Sequence, residues 1–196
     1  MKKLIYLFLF VSFVSFSQDF FESGFEKHEN GNFLGAIADY TKAIEISPND
    51  DYAYSNRGVS KAKLEDYKGA ILDYNKAIEI NPNNDSAYNN RGFSKYNLED
   101  YNGAILDYNK TIEIYPNNSN AYYNIGNLKV ILEDDYKGAI SNYTKAIEIN
   151  PNYASAYYSR GGTKYYLGDY YGACQDARKA QELGINASAL IEAACN

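Results

Sequence analysis

The residues able to do chemistry are few. His28 is the only histidine in the chain, and Glu26 and Glu29 lie beside it. A multi-histidine metal site is therefore excluded, and a lone histidine among acids reads as a surface residue with no catalytic part. Cys174 and Cys195 are the only cysteines, too few for a four-thiolate zinc or iron–sulfur site. No Gly-rich phosphate loop, nucleophile elbow or metal-ligand spacing occurs. The chain reads as a non-enzyme that needs no cofactor. Its 19 Lys and Arg face 25 Asp and Glu, a net charge of −6. That balance opposes nucleic acid as a partner, because phosphate binding needs a basic face. An apolar content of 45% with 22 tyrosines supports a packed core over disorder.

The elements that would position these residues begin after residue 17. Lys2 and Lys3 precede an apolar run from Leu4 to Phe16, and Ser15-Phe16-Ser17 supplies small residues for cleavage. This is the three-part pattern of a secretory signal, too short for a membrane span of about 20 residues. A retained N-terminal anchor is the alternative. Cleavage after Ser17 would leave 179 residues, with 17 basic residues against 25 acidic ones. The expected location is the periplasm or the exterior of a bacterial envelope, with no membrane span after cleavage.

The remainder is one motif written five times. Pro48, Pro82, Pro116 and Pro151 recur at spacings of 34, 34 and 35, each after an Ile-Glu-Ile segment. Gly35-Ala36-Ile37 recurs as Gly69-Ala70-Ile71, Gly103-Ala104-Ile105 and Gly138-Ala139-Ile140, then as Gly172-Ala173-Cys174. The copies run about 18–50, 51–84, 85–118, 119–153 and 154–187, with a short capping helix at 188–196. Each copy reads as two helices; in the second these are 52–64 and 67–80, with Ala70, Ile71, Tyr74, Ala77 and Ile78 as a core stripe. Asp66 is placed to cap the second of them. One such pair cannot bury its own apolar face, so neighbours must stack.

This pattern resembles the tetratricopeptide repeat family. The resemblance rests on the 34-residue period and on Ala53-Tyr54, Gly58, Leu64, Tyr67, Ala70, Tyr74, Ala77 and Pro82 at fixed slots. It implies an all-α, right-handed α-solenoid of antiparallel helix pairs. Three slots depart from the family by carrying charge where apolar residues are usual. One holds Arg57, Arg91 and Arg160, with Ser23 and Ile125 in the other copies. The next, four residues on, holds Lys27, Lys61, Lys95, Lys129 and Lys164. The third holds Asp39, Asp73, Asp107 and Asp176, but Asn142 in copy four. Arg and Lys four apart share a helix face and need an acid nearby, so an ion cluster within each repeat is expected; separate solvated residues are the alternative. Lys42, Lys76, Lys110, Lys145 and Lys179 each precede a Glu by three residues and read as outer-face pairs.

The resemblance also implies that first helices line a concave groove that holds a protein or peptide. Asn56, Asn90 and Asn124 match the family there, and an Asn can address both backbone groups of an extended ligand. Helices about 8–10 Å apart and a ligand rise of about 3.3 Å per residue let three Asn address about six residues. Phe25, Val59, Phe93, Tyr96, Tyr123, Asn127, Tyr158 and Tyr165 are the neighbouring groove candidates. Relatives that hold an acidic C-terminus use basic residues where this chain has Ser55, Ser86, Asn89 and Asn90, so that clamp is not expected. Cys174 and Cys195 are expected to form a disulfide that fastens the terminal helix; a free thiol is the alternative. The function expected is a non-enzymatic scaffold binding protein or peptide. The alternatives are self-association as an assembly component, and carbohydrate or small-ligand binding in a Tyr- and Asn-lined groove.

Overall fold

The computed structural model describes residues 2–196, with side chains described for 16–132 and 134–196. The export-signal reading of 1–17 falls mostly on side chains outside the described residues. Every regular element among the described residues is a helix. They are α1 (Lys2–Glu29), α2 (Phe33–Ile46), α3 (Asp51–Lys63), α4 (Tyr67–Ile80), α5 (Asp85–Asn97), α6 (Tyr101–Ile114), α7 (Ser119–Glu133), α8 (Tyr136–Ile149), α9 (Ala154–Tyr166), α10 (Tyr170–Glu182) and α11 (Ser188–Ala194). Among the described residues no helix is long and apolar enough to cross a membrane.

The chain divides within α6 into two compact units, Met1–Ala104 and Ile105–Asn196. In the first unit α1 packs on α2 and α3 on α4, while α2 also packs on α3 and α4 on α5. In the second, α7 packs on α8 and α9 on α10; α8 also meets α9, and α11 lies against α10. Turns of a few residues make each pair antiparallel. This is the stacking of helix pairs that the repeat demands.

Local chemistry sets the helix starts. The Asp66 carboxylate accepts from the Gly69 backbone N–H at 2.9 Å, and Asn32, Asp100, Asp135 and Asp169 do the same in their copies. A Cβ at Gly69 would lie 2.1 Å from the Asp66 carboxylate. The recurring glycine is therefore what lets the capping side chain fold over the helix end. Asp50, Asn84 and Asn118 cap α3, α5 and α7 through Ala53, Ala87 and Ala121. Tyr153, at the same place before α9, makes no side-chain cap.

The turn inside each pair needs a left-handed residue. Gly31 and Gly168 supply it at φ 77° and 83°, but Glu65 and Glu99 adopt φ 62° and Asp134 φ 47°. A side chain costs about 1 kcal/mol or more there. Replacing Glu65 with Gly should therefore raise stability by about 0.5–1 kcal/mol, read as a higher urea midpoint with unchanged m-value.

The tyrosine slots are not equivalent. Tyr40, Tyr74, Tyr108 and Tyr143 are at most 2% exposed and form the core beside Ala36, Ala70, Ala104 and Ala139. Tyr54, Tyr88, Tyr122 and Tyr157 are half-buried, as are Tyr67, Tyr101 and Tyr136, whereas Tyr170 is exposed. The buried ring lies over the small residue of the partner helix: a Cβ on Gly58 would meet the Tyr74 ring at 2.7 Å, and one on Gly126 the Tyr143 ring at 2.6 Å. Burial pushes the Tyr40 hydroxyl up to about 12, with the Glu29 charge adding to it.

Candidate functional site

In the first unit the first helices carry two adjoining cavities. One, of about 290 Å³, is lined by Asn56, Val59 and Asn90 with Tyr52, Ser55 and Ser86, and by the turn at Asn81, Asn83, Asn84 and Asp85. The other, of about 400 Å³, is lined by Val59, Asn90 and Phe93 with Ala62, Tyr67 and Tyr74, and by Lys63 and Glu65. Val59 and Asn90 belong to both, so a carboxamide stands between a polar recess and one of mixed lining. The structure thus brings four groove candidates of this unit together. Phe93 stays half exposed, its ring edge-on to that of Tyr67 with centroids 6.5 Å apart. Asn56 donates one amide hydrogen to the Tyr52 carbonyl at 2.8 Å.

A third cavity, of about 400 Å³, is lined by Ser17, Gln18, Phe21, Ser47, Asp50 and Tyr52. Five of these lie one repeat before Tyr52, Ser55, Asn81, Asn84 and Ser86 of the polar cavity. The recess therefore recurs with the repeat. Tyr52 was not singled out from the sequence as a ligand contact; the slot it shares with Ser86, second in each first helix, is the signal that marks it. Phe25 is exposed on α1, and Tyr96 stacks on Tyr101 at 5.5 Å.

The second unit places its candidates differently. Asn124 is half-buried on α7. The Asn127 carboxamide oxygen accepts from the Tyr143 hydroxyl at 2.8 Å, which ties it into the fold. Tyr123 packs on Tyr153 at 5.0 Å and on Tyr143 at 5.8 Å, beside Ala146, Ile147 and Ala156. Burial raises the Tyr153 hydroxyl to about 12, aided by Tyr123. Tyr158 and Tyr165 are exposed, and Tyr165 meets Tyr170 edge-on at 5.3 Å.

The charged slots assemble within each unit between the two helices of a repeat. Asp73 accepts from Arg57 through Nε at 2.9 Å and Nη2 at 2.7 Å, and from Lys61 at 2.8 Å. Asp176 repeats this with Arg160 at 2.9 and 2.7 Å and Lys164 at 2.8 Å. Asp39 takes Lys27 and Ser23; burial pushes its carboxyl up, but those two hydrogen bonds and the charges of Lys27 and Lys42 together hold its pKa below the usual value. Asp107 is buried in the same slot. In copy four the cluster is gone: Ile125 is buried, Asn142 donates to the Gly138 carbonyl, and Lys129 reaches Asp135 at 2.7 Å.

The arginines also do what pairing within a repeat did not suggest. Arg57 donates to Thr41 at 3.1 Å and Arg160 to Thr144 at 3.0 Å, each on the second helix of the preceding repeat. Arg91 likewise donates to Asn75 at 2.7 Å, with Lys95 one helical turn further along α5. Each guanidinium lies over a tyrosine three residues earlier: Tyr54, Tyr88 and Tyr157, at 5.3–5.5 Å. The cluster therefore joins repeats as well as helices. The outer Lys–Glu pairs form at 2.7–3.1 Å for Lys76, Lys110, Lys145 and Lys179; being exposed, they add little. Lys42 instead leans toward Asp39 at 3.8 Å and over the Phe20 ring.

His28 is not a free surface group. Its Nδ1 lies 2.9 Å from Ser60 Oγ, and its ring meets Phe33 edge-on at 5.1 Å. Ser60 donates to the Asn56 carbonyl at 3.0 Å, so the Nδ1–H is the donor to Ser60. Burial lowers the histidine's pKa, partly countered by the Glu29 charge. Acidic sequence neighbours pointed to solvent; contact with the next repeat, 32 residues on, overrode them.

Cys174 and Cys195 are joined in a disulfide that ties α11 to α10. In copy five the core tyrosine slot holds Ala177, and Leu190 of α11 comes within 3.3 Å of where a Gly161 Cβ would lie. The terminal helix thus supplies bulk that Tyr74 or Tyr143 provides elsewhere, together with Ile185 and Ile191 over Ala177 and Ala180. Among the described residues no group of His, Cys, Asp and Glu could hold a metal ion.

Stacked helix pairs, a small residue under a buried tyrosine and recesses that recur with the repeat define a class of helical-repeat binding platform. Sequence profiles of the tetratricopeptide repeat match residues 52–84, 86–118 and 107–140, and a TPR repeat profile matches 24–65 and 133–173. Together they span about three quarters of the chain, which belongs to the tetratricopeptide repeat family. No curated protein sequence matches it significantly. Among solved structures, pilF of Pseudomonas aeruginosa is similar with a TM-score of 0.81 at 21% identity, over 93% of this chain and 87% of that one. MamA is similar with a TM-score of 0.71 at 26% identity, over 82% and 93%. The first TPR of Spaghetti (RPAP3), bound to the HSP90 peptide SRMEEVD, is similar with a TM-score of 0.59 at 26% identity, over 60% and 94%. Proteins of this family are in general non-enzymatic interaction scaffolds.

Proposed function

We propose that the protein is an exported scaffold that holds a protein or peptide segment along its first helices. The observation that carries this reading is the pair of adjoining cavities sharing Val59 and Asn90. Asn56 and Asn90 would hold the ligand backbone, while the recess between Tyr67, Tyr74 and Phe93 takes a side chain. The similar Spaghetti domain is bound to the HSP90 peptide SRMEEVD, whose last residue is acidic; here Ser55, Ser86, Asn89 and Asn90 are neutral, so this reading does not rest on an acidic terminus as the ligand. The lysine-led apolar start and the disulfide support export to the periplasm or beyond. Sequencing the N-terminus of protein recovered from the native envelope should read Gln18 first; Met1 would point to a retained anchor. Cleavage there would cost one hydrogen bond, from Ser17 Oγ to the Ala43 carbonyl at 3.2 Å.

Partner capture followed by mass spectrometry tests the groove. Substituting Asn56 and Asn90 together with Ala should weaken capture by about 30-fold, at about 1 kcal/mol per lost hydrogen bond, with helicity unchanged. Unaltered capture would place binding elsewhere.

A further inference from the structure

The second unit carries an aromatic edge that the groove does not explain. It is formed where α7 turns into α8 and α9 into α10. Tyr166 is 68% exposed, Tyr170 55% and Tyr171 77%, with Leu132 and Leu167 exposed beside them. The rings are ordered against one another: Tyr136 stacks on Tyr166 at 4.4 Å, and Tyr165 meets Tyr170. The second and third copies are polar here, and no earlier copy has a tyrosine at either position, although Leu34 and Ile131 stand there in copies one and four. The Tyr166 position holds Lys63 and Asn97, and the Tyr171 position holds Lys68 and Asn102. The repeat itself therefore does not require these tyrosines. Exposed aromatic clusters of this kind mark interaction surfaces.

The charges around the edge say what it suits. Asp134 and Asp169 are exposed on it, and the Tyr136 hydroxyl donates to Asp134 at 3.1 Å. Lys129 and Lys164 are engaged by Asp135 and Asp176; among the described residues Lys137, at the Tyr171 position of copy four, is an exposed cation nearby in sequence. The whole chain is acidic as well. Inside the fold, Arg57, Arg91 and Arg160 each lie on a tyrosine face within reach of a carboxylate or amide. We propose that this edge, built on Tyr136, Tyr166, Tyr170 and Tyr171 with Asp134 and Asp169, docks an arginine- or lysine-bearing segment of a protein partner. Its guanidinium groups lie on the tyrosine faces and pair with the two carboxylates.

The test uses the full chain and a fluorescein-labelled arginine-rich peptide, with a glutamine-rich peptide and a neutral oligosaccharide as controls. Direct binding of the arginine peptide is expected, weakening with salt. Tyr166→Leu and Tyr171→Leu keep apolar bulk and net charge but remove the ring, and each should weaken binding about two- to fivefold; Asp134→Asn should weaken it and flatten the salt dependence. Circular dichroism confirms that the variants keep their helices. Absence of arginine-peptide binding overturns the proposal. So does binding that the two Leu variants leave unchanged, which is general charge attraction. Oligosaccharide binding lost in those variants, or a dimer by light scattering that they abolish, would assign the edge to a glycan or to a second copy instead.

Discussion

Replacing Asp73 with Ala should destabilise the protein by about 3 kcal/mol. Asp73 is 4% exposed and is the shared acceptor for Arg57 and Lys61. Those cations sit on one face of α3, with side chains 16% and 21% exposed. Without the carboxylate, two positive charges remain close together and largely out of water. Arg57 would still donate to Thr41 and lie on Tyr54, contacts too weak to replace a bidentate ion pair. Denaturant unfolding followed by circular dichroism reads the effect as a lower midpoint. A loss under about 0.5 kcal/mol would show that the pair behaves as an exposed one. Removing the whole set, by Arg57→Ile, Lys61→Met and Asp73→Leu together, should cost much less than Asp73→Ala alone, because the stranded charges leave with their partner. Copy four shows that this solution is accessible: Ile125 is buried where the arginine stood, and Lys129 pairs with Asp135.

The helices, their order and their capping residues were legible because each is a short-range consequence of residues repeated every 34 positions. Asp66 over Gly69 is decided within four residues. The arginine and aspartate slots could be paired by asking which copy lost both. The remaining features were hidden for three physical reasons. Thr41, Asn75 and Thr144 share a slot of small polar residues with no net charge, so nothing in their type marked them as partners of an arginine in the next repeat. Tyr74 and Tyr67 are the same residue at similar helical positions, yet one lies under α3 and the other at an open turn; only packing separates them. His28 and Ser60 are brought together by the stacking of consecutive repeats, which overrides what the histidine's acidic neighbours suggest. Of the groove candidates, Asn56, Asn90, Val59 and Phe93 could be named from their residue types, and they meet around the two recesses of the first unit. The division into a polar and a mixed recess depends on where the Tyr67 and Tyr74 rings settle.

Replacing Tyr74 with Ala should cost about 4 kcal/mol, since removal of a buried aromatic side chain usually costs 3–5 kcal/mol. The ring is 1% exposed and packs among Ala70, Ala77 and Ala87, with Tyr54, Val59 and Ile78 around it. It also lies against Gly58, close enough that an added Cβ would sit 2.7 Å from Cε1. Two consequences follow from that contact. Gly58→Ala in the native background should destabilise by about 1–3 kcal/mol, because the ring already packs against α3 and its neighbours and overpacked cores yield by strain. In the Tyr74→Ala background the same substitution should be neutral or stabilising, since the new methyl then enters a void. The coupling between the two sites, measured by a double-mutant cycle in urea, is expected to exceed about 1 kcal/mol and to favour the double variant. Additive effects would mean that Tyr74 and Gly58 do not share the space assigned to them. Copy five already contains the compensated arrangement: Ala177 replaces the tyrosine and Leu190 of the disulfide-held α11 moves in over Gly161. A small residue at the tyrosine slot is thus tolerated where another apolar group refills the volume, and Tyr74→Ala offers no such group on α3 or α5.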